Sequence, residues 1–358
     1  MAIEPAKLNE FLGKVVGDIG AALSACLVMI GDRLGLYKAM AGAGALTSAE
    51  LAQRTGCAER YVREWLLNQA AGGYVTYHPQ SGKYSLTEEQ AFCLADETSP
   101  VFLAGAFDII QSCNRDEPKV EKVFKSGDGI PWGDHDSCLF CGTERFFGGT
   151  YRGNLVQAWI PALDGIEARL SAGGRVADVG CGHAISTVLM AQAFPNTQFT
   201  GFDAHPPSIE CARRRAAGMG LANVAFEVAD ATSFPAPKGA AGYDLVTCFD
   251  CLHDMGNPVG CAQHVKSRLT SNGVWMVVEP MAGDRVEDNL NPVGRTYSAA
   301  SAMICVPASI AGKGPALGAQ AGPARLTATI KAGGFGTVRV ATTTPFNLVL
   351  EARSTRSR

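Results

Sequence analysis

The stretch Arg175-Val-Ala-Asp-Val-Gly-Cys-Gly-His-Ala-Ile-Ser-Thr-Val-Leu-Met190 constrains this chain more than any other, because it reads as a buried strand running into a glycine turn and on into a helix. Val176 and Val179 are β-branched strand formers, and Ile185, Val188 and Leu189 resume at helical spacing. Gly180 and Gly182 let the backbone turn sharply and approach a ligand with no Cβ in the way. Such a turn aims the free N–H groups of a helix start at whatever binds there.

A dinucleotide fold closes this turn with a third glycine or an alanine, and Ile185 is too bulky for that position. The alternative is the D-x-G-x-G-x-G/A turn of S-adenosylmethionine (SAM) enzymes, headed here by Asp178, with Ala184 in the last small position. A second short strand, 198–203, ends in Asp203 at about the distance where a strand-end acid meets ribose hydroxyls. Further strands are expected at 224–230, 243–250 and 273–279, with helical stretches such as 208–219 between them. Strands alternating with helices predict a parallel sheet that binds its ligand at the carboxyl ends, so Asp178, Asp203, Asp230 and Asp250 should share one crevice.

The ordered set Asp178-Val-Gly-Cys-Gly-His-Ala184, Gly201-Phe-Asp203, Val228-Ala-Asp-Ala231 and Tyr243-Asp-Leu-Val246 resembles the motifs of class I SAM-dependent methyltransferases. The resemblance implies a Rossmann-like α/β fold with a seven-stranded sheet, and SAM as cofactor. It also implies that Gly180 and Gly182 pass under the methionine part, that Asp203 holds the ribose, and that Asp230 with the backbone of Ala231 reads the adenine edge. Asp178, Cys181, Ala204, Phe249 and Asp250 complete the expected cofactor site.

The formal net charge of -3 argues against an extended nucleic-acid surface and favours a small-molecule acceptor. Twelve cysteines scattered among apolar residues, with no secretory leader ahead of them, read as a reduced cytoplasmic protein. The uncharged run 19–31 is too short to span a bilayer.

Three regions are expected: a winged-helix dimerisation domain at 1–90, a helical linker or lid at 91–168, and the SAM-binding domain at 169–353. From Leu8 to Ile30 apolar residues recur at helical spacing until the helix is apolar nearly all round, so it needs a partner in its own domain or in a second subunit. Thr47 and Glu50 form a capping box with a Leu46–Leu51 staple, a second helix spans 59–69, and a hairpin follows around 74–86. Helix, turn, helix and hairpin make a winged helix. Its second helix offers Glu59, Arg60, Arg63 and Glu64, too acidic a set for tight phosphate binding, so a dimerisation and substrate-wall role is expected. Small-molecule O-methyltransferases, which the chain resembles, commonly carry such a domain and dimerise through it.

In the lid, Trp132, Phe140, Phe146, Phe147, Tyr151 and Trp159 cluster, and Trp132, Phe146, Phe147 and Tyr151, with Met303 further on, are the candidate acceptor pocket. The pairs Cys138/Cys141 and Cys248/Cys251 raise a zinc site, but the second lies on a strand and its exit, where i and i+3 side chains should face opposite ways. No metal is expected. Beyond the fourth strand, Leu252-His-Asp matches the point at which the O-methyltransferases resembled here place a general base, which makes His253 the candidate catalytic residue. Those enzymes usually continue with tryptophan where this chain has Met255.

The region 288–307 reads as helical, 312–322 as a Gly/Ala-rich loop closing over a ligand, 326–332 as a helix, 337–341 and 347–352 as a final antiparallel pair, and 354–358 as a frayed tail. Over nearly its whole length the chain is similar to little-characterised winged-helix-fused methyltransferases that share Pro131-Trp-Gly133, Leu317-Gly-Ala-Gln-Ala-Gly322 and Pro345-Phe-Asn-Leu-Val349. The expected function is methyl transfer from SAM to a small-molecule hydroxyl. The rival is a SAM-binding winged-helix transcription regulator without catalysis, which would need a basic recognition helix.

Overall fold

Helix α1 (Pro5–Arg33) starts on a proline at its first turn, and its apolar stripe has two fates. Its C-terminal part is buried: Val28 joins a core with Tyr37, Leu51, Val62, Trp65, Leu66 and Tyr84, and the indole N–H of Trp65 donates to the Leu27 carbonyl at 2.9 Å. Gly31 is required there, because a Cβ would stand 2.6 Å from the Trp65 ring. The N-terminal part lies open, with Phe11 63%, Val16 66% and Leu23 71% exposed. The run 19–31 is only part of this helix, which by length and composition alone is sufficient to cross a membrane.

The structure, a computed structural model, describes residues 3–354; residues 355–358 of the expected tail lie outside the described residues. The chain forms two compact units, residues 1–111 with 141–150 and residues 112–140 with 151–358. The expected lid segment, 91–168, is therefore divided between the two.

In the first unit α2 (Leu36–Met40), α3 (Ser48–Thr55) and α4 (Glu59–Ala71) lead into the two-stranded wing, β1 (Thr76–His78) and β2 (Lys83–Ser85). The Thr47–Glu50 capping box forms, and Gly56 closes α3 in the left-handed conformation. On α4, Arg63 pairs with Glu59 and Arg60 with Glu64, so each cation of the recognition position is engaged by an acid one turn away. Helix α5 (Glu88–Leu94) follows, and α6 (Gly105–Ser126) and α7 (Cys138–Asn154) each contribute residues to both units.

The second unit continues with α8 (Ile166–Ala172), β3 (Arg175–Val179), α9 (Ile185–Ala193), β4 (Gln198–Asp203), α10 (Pro206–Gly218), β5 (Val224–Val228), β6 (Tyr243–Phe249), α11 (Pro258–Arg268) and β7 (Leu269–Pro280). After α12 (Pro292–Ala300) comes a π-helical turn at Ser301–Cys305, then α13 (Val306–Ala311), α14 (Gly322–Ala332), β8 (Thr337–Thr343) and β9 (Asn347–Arg353). The region 288–307 is thus helical from Pro292 onward, an uninterrupted run that passes through the π-helical turn. The seven strands run in the order β5-β4-β3-β6-β7-β9-β8, with β3 to β7 parallel and β9 antiparallel to both neighbours. Central strands are largely apolar, as in Leu245, Val246, Val274 and Val277, because helices cover both faces. The chain turns opposite ways after β3 and β6, and that reversal opens a crevice at their carboxyl ends.

Candidate functional site

The glycine turn after β3 is held from three sides. The N–H groups of Gly180 and Cys181 donate to the Phe202 carbonyl at 2.8 and 3.0 Å. Gly180 has φ +73°, and a Cβ there would stand 2.8 Å from the Cys251 sulfur. Gly182, at φ +51°, meets nothing within 4 Å, so the outer side of the turn is open to a ligand. Ala184 takes φ 66° as well, a conformation its Cβ makes costly, and it is wholly buried.

Asp178 is sealed. Its Oδ2 accepts from Ser186 at 2.8 Å and Thr187 at 2.5 Å, and its Oδ1 accepts from Thr247 at 2.9 Å. Burial pushes its carboxyl up against the pull of those hydroxyls. It therefore fastens α9 and β6 to the turn. Asp203 is differently placed at the end of β4, where Oδ2 accepts the Gly182 N–H and Oδ1 the His205 N–H, each at 2.8 Å. Burial raises its carboxyl too, opposed by these two bonds. Each oxygen retains a lone pair for a second donor. Ala204 is exposed beside it.

Asp230 is exposed and closes its own turn, accepting from the N–H of Thr232 at 2.8 Å and its hydroxyl at 2.5 Å. Half-buried Ala231 follows. Beyond β6, Phe249 lies against Tyr151 with ring centroids 5.1 Å apart. Asp250 adopts φ 50° and accepts the Tyr151 hydroxyl at 2.7 Å and the Asn347 amide at 3.2 Å. Of the candidate acceptor-pocket residues, Tyr151 is thus anchored on Asp250. Trp132 packs edge-on against Phe140 at 5.8 Å, and Phe140 stacks on His205 at 4.7 Å, which places this pair beside the Asp203 end of β4. Phe146 and Phe147 pack on each other in the first unit at 4.9 Å. Met303 sits half-buried on the π-helical turn.

His253 lies on the short 3-10 turn Leu252–Asp254 and is only 3% exposed. Its Nδ1 meets Glu279 Oε2 at 2.5 Å, and Glu279 Oε1 accepts the Leu252 N–H at 2.8 Å. Its Nε2 lies 3.2 Å from the Cys305 sulfur. Burial works against the imidazolium, but the charge of Glu279, with Cys305, outweighs it and holds the pKa well above the ordinary value. Sequence reasoning missed Glu279, Cys305 and Asn347. The strand-end rule that found Asp203 also applies to Glu279, the penultimate residue of β7; nothing local marks Cys305.

The Gly/Ala-rich loop is fastened to this stretch. Gly318 N–H donates to the His253 carbonyl at 3.1 Å, and Ser309 Oγ donates to the Met255 carbonyl at 2.9 Å. Gly256 and Gly312 approach so closely that a Cβ on Gly256 would stand 2.3 Å from the Gly312 carbonyl. Of the second cysteine pair, Cys248 is buried in the core, whereas Cys251 Sγ donates to the Val179 carbonyl at 3.5 Å. The left-handed Asp250 between them reverses the chain. Among the described residues, no cluster of three or more His, Cys, Asp or Glu could hold a metal ion.

Two buried acids give the site a pH signature. Burial pushes Asp250 up to about 8, despite the Tyr151 bond, and Asp254 up to about 7, despite His253. Folded chains then bind more protons than unfolded ones from about pH 4 to 8, so this contribution to stability is complete below the unfolded values and lost as pH rises through 7 to 8. His253, raised as well, has the same sign. The ligand-free protein should melt higher near about pH 5.5 than near about 8.5, and Asp250→Asn should shrink the difference. A melting temperature that climbs over this interval would refute the assignment.

A parallel sheet with this order, a glycine turn on its first strand and acids at its strand ends defines a class I methyltransferase fold behind a winged helix. Residues 170–321 match the family described as methyltransferase domain, and residues 21–96 the Rv2258c-like winged HTH domain. The chain thus carries a methyltransferase domain preceded by a winged-helix domain. The ubiquinone biosynthesis O-methyltransferase of Leptothrix cholodnii is 28% identical over 144 residues, 40% of this chain and 56% of its own length. This chain spans about half the length of the curated relatives it matches. The mitomycin 7-O-methyltransferase structure has a TM-score of 0.69 at 18% identity, covering 98% of this chain and 100% of that one. Human N-acetylserotonin methyltransferase in complex with SAM gives 0.69 at 17%, covering 99% of both. At such identities the likeness is one of fold.

Proposed function

We propose that this protein transfers the methyl group of SAM to a hydroxyl oxygen of a small-molecule acceptor, with His253 as the general base. The observation that carries the reading is the buried Glu279–His253 pair at the carboxyl ends of β6 and β7, in the same unit as the open Gly182 turn. The residues present fit SAM: the turn leaves room at Gly182, and both Asp203 oxygens keep acceptor capacity toward a ribose. When bound, SAM supplies a methyl group on a positively charged sulfur.

In this reading Gly180, Cys181 and Gly182 present the turn to the methionine part, Asp203 with Ala204 takes the ribose, and Asp230 with Ala231 takes the adenine edge. Glu279 fixes the ring of His253 through Nδ1, so Nε2, which faces the Cys305 sulfur at 3.2 Å, is the nitrogen that would receive the acceptor's proton. Holding acceptor and donor in a closed, apolar space supplies most of the remaining catalysis. Incubating the protein with methyl-labelled SAM and a metabolite extract, then reading products by mass spectrometry, tests this directly. Labelled product only on amines or thiols would remove the hydroxyl assignment. The regulator reading has less support, since Arg60 and Arg63 are each paired with a glutamate.

A homodimer in the cytoplasm belongs to the same reading. The open face of α1, with Leu8, Phe11, Leu12, Val16, Ile19 and Leu23 exposed, is costly to leave in water, and a second copy of the helix would cover it. Sedimentation at low concentration should give a dimer that Phe11→Lys with Val16→Lys weakens. A wild-type monomer would refute the assignment.

A further inference from the structure

The contact at His253 Nε2 has a chemistry of its own. Cys305 is brought there by the π-helical turn Ser301–Cys305, an irregularity that re-aims side chains and recurs at functional sites. Glu279 holds His253 by Nδ1, and His253 faces the Cys305 sulfur at 3.2 Å through Nε2. Orienting acid, imidazole and thiol thus stand in the sequence that activates a nucleophile.

We propose that Cys305 is a reactive thiol, a site of covalent modification by small uncharged electrophiles, with His253 as the base that activates it and Glu279 as the residue that positions His253. The proposal rests on the reading of His253 as a proton acceptor. It adds that the sulfur occupies the side of Nε2 that an acceptor hydroxyl would need, so a group attached to Cys305 shuts the base off.

Its place 3.2 Å from His253 Nε2 separates Cys305 from its neighbours. Glu279 favours the imidazolium, the state left once Nε2 has taken the thiol proton. Cys113, which interacts with Cys305, is pushed up to about 11 by burial and by the charge of Asp116. Burial likewise drives Cys181 and Cys248 well up, so these core thiols stay protonated. With iodoacetamide as the electrophile, the thiol proton passes to Nε2 and the sulfur electron pair forms the new S–C bond. Iodide leaves with the C–I pair, and the imidazolium then gives its proton to solvent.

The test is timed alkylation of the full chain by iodoacetamide near neutral pH, read cysteine by cysteine by peptide mass spectrometry. Cys305 should label despite its burial, and His253→Ala should slow that labelling by at least about tenfold while exposed Cys26 and Cys141 keep their rates. Glu279→Gln, which keeps an acceptor for the Leu252 N–H, should slow Cys305 in the same direction and decides the matter if His253→Ala does not fold. The proposal is overturned if Cys305 stays unlabelled while Cys26 and Cys141 react to completion, or if the folded variants label it at the wild-type rate. No methyl acceptor enters this experiment. A failed methyl-transfer assay with Cys305 labelling intact would therefore sink the proposed function alone.

Discussion

On an identified hydroxyl acceptor, His253→Ala is expected to lower turnover by about 100-fold to 10,000-fold, the range for a lost general base, with SAM affinity nearly intact. Binding and chemistry separate because the turn and Asp203 are built from β3 and β4, whereas His253 follows β6. The pH profile gives a finer test. A base works only when deprotonated, so kcat should fall on the acid side, and Glu279 places that limb above the ordinary histidine value. Glu279→Gln removes the charge that favours the imidazolium and should move the limb to lower pH. Turnover within a few fold of wild type in His253→Ala would make the ring a wall of the pocket.

Asp203→Ala should weaken SAM binding by at least about tenfold, since a hydrogen bond to a charged group is worth about 1.5 to 3 kcal/mol. The structure gives this change a second route to the same result. Asp203 Oδ2 holds the Gly182 N–H at 2.8 Å, so the alanine also releases the turn. Calorimetry on a folded variant checks it, and an unchanged affinity would remove the ribose assignment. Gly180→Ala should cost more stability than Gly182→Ala, because both carry a positive φ but only the first collides with Cys251.

The sheet was legible because its strands announce themselves: unbroken apolar runs such as 274–278 between helical stretches admit one arrangement, and each sequence strand lies within a few residues of the observed one. The acids at the strand ends followed from the same rule. What the pattern could not carry is side-chain direction after a change of hand. Asp250 enters the left-handed region without being glycine, and beyond it Cys251 is brought against the glycine turn, its Sγ on the Val179 carbonyl at 3.5 Å. Cys305 was invisible for a related reason, since a π-helical turn rotates residues off the regular helical face and no local residue type signals it. The aromatic cluster divided likewise: Tyr151 answers to Asp250, while Phe146 and Phe147 belong to the other unit.

The sealed carboxylate of Asp178 bears on the order in which the protein folds. Two of its three hydroxyl partners, Ser186 and Thr187, are near in sequence, but the third, Thr247, is 69 positions away on β6. A nascent chain that has emerged only as far as β5 has the whole turn sequence, yet one side of its anchoring carboxylate still faces water. Closing so long a segment is entropically slow compared with pairing β3 and β4. The seal on Asp178 is accordingly expected to close later than the turn itself: hydrogen exchange should report the amides of Gly180, Cys181 and Gly182, which are bonded to β4, protected together with β4 and ahead of β6.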